Sequence, residues 1–138
     1  DTYLSLEAYD KAIELMEKSV KRCVARHEIG TIPMVSRSLA ECYYAVDQSP
    51  TERVVQELER AIDIAYRTKA RWFEFQAIVD YSDLLLQHED TVADDTKSKI
   101  FKRLRELMDF LVQEDGEQTT GYFKRAELLW EKIEKRGN

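Results

Sequence analysis

Cys23 and His27 stand four residues apart inside a helical pattern, with Glu28 beside them. Residue types of this kind at that spacing share one helix face and can ligate a metal. A usable site, however, takes three or four convergent ligands, and the chain offers no second pair of matching spacing. His88 lies next to Glu89 and Asp90 at the end of another apolar run, where it reads more simply as a cation matched to a helix C-terminus or as a polar cap. Asp94 and Asp95 are paired carboxylates in a polar stretch, where nothing raises a pKa for acid catalysis. The chain has no G-x-S-x-G, no phosphate-binding glycine loop and no H-E-x-x-H, and its four glycines are scattered. No catalytic residue, metal or cofactor is therefore assigned, and any enzymatic activity is expected to reside outside this segment.

Two other clusters could serve recognition. Lys97, Lys99, Lys102, Arg103 and Arg105 fall within nine residues, and the spacing puts Lys99, Lys102 and Arg103 on one face. Such a patch suits an acidic partner or a phosphate, although a solvated helix face explains it more simply. The run Arg71-Trp72-Phe73-Glu74-Phe75 offers rings for stacking, with core packing as the plainer account. An exposed Trp72 would become a binding anchor. So would Trp130, and an apolar face on the terminal helix would point to truncation or to a homodimer through that helix.

These residues need elements to hold them, and the composition favours helices. Of 138 residues, 43% are hydrophobic and 35% charged, with only four glycines and two prolines. A chain poor in breakers and rich in charge of both signs is helical rather than sheet-forming. The net charge of −6 disfavours nucleic-acid binding, which needs a surplus of cations to neutralise phosphates. No apolar run approaches the roughly 18 residues of a membrane span. Cys23 and Cys42 sit within helical patterns, as buried reduced thiols do, so a cytoplasmic setting is expected. The first residue is Asp1, and the chain reads as one helical domain, residues 1–138, cut from a longer protein.

Apolar periodicity, caps and breakers predict six helices. The first covers about residues 2–29, with Gly30 as its left-handed stop. The second covers 33–47 with Pro33 in its first turn. Ser49-Pro50-Thr51-Glu52 predicts a capping box with Ser49 as N-cap, opening a third helix that ends near Thr68. A break inferred at 69–71 leads to a fourth helix, 71–88, apolar nearly all round and hence central. After a polar loop from His88 to Asp95, with Thr91 or Asp95 as the cap, a fifth helix runs over 95–113. Asp115-Gly116 marks a turn, and a sixth helix runs from about Thr119 to Arg136.

The second and fourth helices can be laid over each other. Leu39-Ala40-x-x-Tyr43 and Tyr81-Ser82-x-x-Leu85 repeat at an offset of 42 residues, each followed by spaced apolar residues on the next helix. This lies in the range of about 34 to 47 residues for two-helix repeats. The pattern resembles a divergent tetratricopeptide repeat, with the large-small-x-x-aromatic signature on the first helix of each hairpin. Leu58 to Ala65 and Ala77 to Leu86 are similar to repeats attached to bacterial multidomain transcription regulators and signalling ATPases. The first-helix tryptophan and the closing proline of that family are missing, and an insertion falls around 91–96.

The resemblance implies an all-α fold of about six antiparallel helices stacked as a short right-handed solenoid, the alternative being a compact six-helix bundle. It implies a non-enzymatic interaction module that holds a protein or peptide segment, or other domains of its own chain, on a concave face. The alternative is a ligand- or peptide-sensing regulatory domain. Carried over by alignment, the residues lining the concavity are Arg37, Glu41 and Tyr44 on the second helix and Val79, Asp83 and Leu86 on the fourth.

Overall fold

The computed structural model describes residues 2–115 and 121–136. Six α-helices account for nearly all of them: α1 (Thr2–Ala25), α2 (Ile32–Asp47), α3 (Glu52–Arg67), α4 (Arg71–Gln87), α5 (Asp94–Asp115) and α6 (Gly121–Arg136). Two single 3₁₀ turns, Ile29–Thr31 and Glu89–Thr91, sit in the connections. Among the described residues there is no strand. The predicted turn at Gly116 and the predicted start at Thr119 lie outside the described residues.

The first three helix ends are made without glycine. His27, Gln48 and Lys69 all adopt positive φ, near 60°. They recur every 21 residues (48 − 27 and 69 − 48), half of the 42-residue offset between the two similar stretches. After α1 the Glu28 N–H bonds the Cys23 carbonyl at 2.8 Å, and after α3 the Ala70 N–H bonds the Ala65 carbonyl at 2.8 Å. This is the six-to-one closure that satisfies orphan carbonyls at a left-handed stop. The expected stop at Gly30 is thus corrected: α1 ends five residues earlier, and Gly30 lies in the 3₁₀ turn that follows. At His27, Gln48 and Lys69 the carbonyls satisfied by the turn offset the steric cost that a left-handed conformation imposes on a residue with a Cβ.

The expected capping box also gives way. Thr51, not Ser49, occupies the N-cap of α3, and its side chain caps no N–H. Its hydroxyl donates instead to Asp47 Oδ2 at 2.6 Å, and the same carboxylate accepts from Arg53 Nε at 2.8 Å and Nη2 at 2.7 Å. These bonds tie the end of α2 to the start of α3 and hold the Asp47 carboxyl down at about 2. Lys97, counted in the cationic run, is buried. Its ammonium donates to the Glu89 carbonyl at 2.8 Å and pairs with Asp94, closing the turn before α5.

Each helix from α1 to α6 packs on the next. In addition α2 touches α4 and α4 touches α6, whereas α1, α3 and α5 make no comparable contact with one another. Two apolar clusters form. Leu39, Val54, Leu58, Tyr81 and Leu85 belong to one, and Phe75, Ile78, Leu104, Leu107 and Leu129 to the other. Ile62, Leu86, Ile100, Trp130 and Ile133 pack against both. As expected for a helix apolar on every side, α4 is central and contributes to both clusters. None of the helices in the described residues is long and apolar enough to cross a membrane.

Candidate groove between α2, α4 and α6

Helical spacing of three and four puts Arg37, Glu41 and Tyr44 on one stripe of α2, and Asp80, Asp83 and Gln87 on one stripe of α4. Tyr122 and Arg125 come from the first turns of α6. Together with Ala40, Leu58 and Leu84 they line an open groove of about 220 Å³. Ala40, Leu58 and Leu84 are buried and give the groove an apolar floor.

A polar network crosses that floor. Arg37 Nη1 donates to Asp80 Oδ2 at 3.3 Å and to the Tyr122 hydroxyl. Arg125 reaches Asp80 Oδ1 at 3.3 Å and Asp83 Oδ2 at 3.4 Å. Its guanidinium lies 5.1 Å from the Tyr122 ring centre, and that of Arg37 lies 5.5 Å from it. Three helices are thereby joined by side chains 42 to 85 positions apart. Burial raises the Asp80 pKa above its ordinary value and outweighs both arginines, whose charges and hydrogen bonds act the other way. Burial also raises Tyr122, with the Asp80 charge adding to it. At one end of the groove the Tyr44 hydroxyl sits 2.8 Å from His88 Nε2 and 3.5 Å from Gln87 Oε1. Glu41 is exposed at the rim.

Of the six positions carried over by alignment, Arg37, Glu41, Tyr44 and Asp83 meet in this groove. Val79 and Leu86 do not, and this is a correction. Val79 is fully buried against Leu104, Leu107 and their neighbours, and Leu86 packs against both apolar clusters. The 42-residue offset matches the buried pair Leu39 and Tyr81. The polar stripe of α4 sits one residue further on for two of its three members, so Arg37 meets Asp80 and Tyr44 meets Gln87 at an offset of 43. Tyr122 and Arg125 lie outside the positions carried over by alignment, which end with the fourth helix. Their spacing of three beside the apolar Phe123 and Ala126 marks one stripe of α6, but nothing in that spacing says that the stripe faces α4.

The other candidates are placed as follows. Trp72 is partly buried, 5.7 Å from Phe75 and 6.4 Å from Tyr122. Trp130 is partly buried with Arg105 5.3 Å from its ring centre, while Leu128 is exposed among charged residues on the same helix. Cys23 and Cys42 are buried free thiols, and the Cys23 sulfur lies 3.2 Å from the Thr31 hydroxyl. Among the described residues no three His, Cys, Asp or Glu side chains converge as metal ligands. A second opening of about 680 Å³ lies between α1 and α3, where the buried Glu57 pairs with Arg60 at 2.9 Å and its pKa is raised by burial. Comparison with family models, with curated proteins and with solved structures gives no match.

Proposed function

We propose that this chain is a non-enzymatic recognition module. In this reading α2 with α3 and α4 with α5 are tetratricopeptide-like hairpins, α1 and α6 are half-hairpins at the two ends, and a protein or peptide segment lies in the groove between α2, α4 and α6. The groove itself carries the reading, with an apolar floor, a cross-linked polar bed, and Glu41, Tyr44, Asp83 and Gln87 along its margin. The contact of α2 with α4 and of α4 with α6, without a matching layer of α1, α3 and α5, supports stacked hairpins over a closed bundle.

Its volume of about 220 Å³ falls below the roughly 300 to 1,000 Å³ of small-molecule sites, which favours side chains of a segment laid across it over an enclosed ligand. Tyr44 supplies an amphipathic ring that buries area at little rotamer cost, and Glu41 and Asp83 favour a segment with a cation nearby. The charged outer face of α6 gives no support to a homodimer through that helix.

Selection of a displayed random-peptide library against the domain tests this reading. Peptides that bind the wild type are expected to lose at least about tenfold in affinity to Tyr44→Ala and Asp83→Lys, with both variants still folded by circular dichroism. Equal binding to both variants would remove the groove as the recognition surface.

A further inference from the structure

The charges that line the groove between α2, α4 and α6 are neither balanced nor equally spent. Three carboxylates, Glu41, Asp80 and Asp83, face two cations, Arg37 and Arg125. Both guanidinium groups are drawn to the α4 side, Arg37 to Asp80 and Arg125 to Asp80 and Asp83. Asp83 also accepts from Gln87 Nε2 at 3.1 Å. Glu41 is different. Among the described residues it has neither a hydrogen-bond donor nor an ion-pair partner, and it stands exposed at the rim. The lining therefore carries one net negative charge, three carboxylates less two guanidinium groups, on a chain of net −6.

A segment laid across the groove takes water away from Glu41. Covering an unpaired carboxylate is costly unless a cation replaces the water, so an apolar or acidic residue at that point weakens the complex and a basic one is compensated. The shape agrees with the charge. Ala40, Leu58 and Leu84 form an apolar floor below the charged rim. Lysine and arginine lay an apolar stem along such a surface and keep the charged head at its wet edge. The volume of about 220 Å³ equals that of about seven water molecules at liquid density, enough for one long side chain. Gln87 Oε1, which receives only the Tyr44 hydroxyl at 3.5 Å, is a further acceptor on the groove wall.

We propose that the groove selects a basic side chain of its partner segment, arginine or lysine, with the stem on Ala40, Leu58 and Leu84 and the cation on Glu41, and that Glu41 sets this preference. The inference rests on the groove reading and narrows it to a cationic segment. The probes are three short synthetic peptides of serine and leucine, identical except for one central residue, which is arginine, leucine or glutamate. Each is titrated into the ¹⁵N-labelled domain at low and at high salt.

Shifts are expected at Glu41, Tyr44, Asp83 and Gln87, with the arginine peptide binding at least about tenfold tighter than the glutamate peptide and weakening as salt is added. Glu41→Lys should lower its affinity at least about tenfold and Glu41→Gln about threefold. Glu134→Gln, exposed at the far end of α6, should leave it unchanged. Both Glu41 variants should keep the wild-type far-ultraviolet circular dichroism, because that side chain is exposed and unpaired. Equal affinity of the leucine and arginine peptides at these residues, or full binding of the arginine peptide by Glu41→Lys, would overturn the basic preference and leave the groove standing. Absence of groove shifts with all three peptides, while library-selected peptides remain sensitive to Tyr44→Ala, would also overturn this proposal alone. Library-selected peptides indifferent to both Tyr44→Ala and Asp83→Lys would remove the groove reading and this inference with it.

Discussion

Two carboxylates on α4 are each held by two arginines, yet they do different work. Glu74 is sealed from water and gripped by Arg103 through two bonds of 2.7 and 2.9 Å, with Arg71 at the edge. Asp80, six residues on, keeps a fifth of its side chain exposed and meets Arg37 and Arg125 only at 3.3 Å, longer than well-formed bonds of this kind. The first is a lock between α4 and α5. The second is a looser bridge on the floor of an open groove. A third buried polar group of α4, the Ser82 hydroxyl, has no partner among the described residues. One helix thus carries a graded series from tightly held to unpaired, and the grade follows from how well the neighbouring helices supply donors.

The series can be broken at each grade. Glu74→Ala is expected to cost the most, about 2 to 3 kcal/mol by chemical denaturation, because it removes the buried acceptor of two charge-assisted bonds from Arg103 and takes the counter-charge from two partly exposed arginines. A loss under about 1 kcal/mol would show that Glu74 is no lock.

Asp80→Asn should cost less than about 1 kcal/mol, since the pairs are long and burial opposes the ionised carboxylate. Its pH signature is more telling. The Asp80 pKa is raised on folding, so between its ordinary value of 3.8 and the raised value the folded protein binds more protons than the unfolded chain. Stability contributed by this group therefore increases as pH falls through the raised value and levels off below 3.8. Asp80→Asn should lack that increment in a series of denaturant melts across the acid range. A change of the opposite sense would mean that the arginines, not burial, govern Asp80, and an unchanged profile that the two cancel. The smallest effect is expected from Ser82→Ala, which removes an unpaired hydroxyl from a fully buried site. A gain of a few tenths to about 1 kcal/mol in unfolding free energy is expected, and a loss of similar size would reveal a partner for that hydroxyl.

The sequence made the helices and the centrality of α4 legible because apolar spacing is a property of each segment alone. Helix stops were less legible. A glycine stop suggests Gly30, while the chain turns at His27, Gln48 and Lys69, where backbone bonds to the preceding turn compensate the left-handed strain. The cap of α3 shifted from Ser49 to Thr51 because Asp47 recruits the Thr51 hydroxyl and Arg53 across the hairpin, a contact that no local motif announces.

In the groove, Arg37, Glu41 and Tyr44 share one face of α2, as their spacing predicts. The facing stripe on α4 was displaced at Val79 and Leu86 because the alignment rested on buried residues. Packing repeats at 42 residues, whereas the surface bridges to Asp80 and Gln87 span 43. Tyr122 and Arg125 depended on how closely α6 approaches α4, which only the tertiary structure supplies.

The central claim is that the groove between α2, α4 and α6 is where a partner segment is held. Mapping one library-selected peptide onto the ¹⁵N-labelled domain by amide chemical shifts tests it most directly. The account predicts the largest shifts at Glu41, Tyr44, Asp83, Gln87 and Arg125. Shifts confined to other helix faces, with these five residues unmoved at saturation, would contradict it.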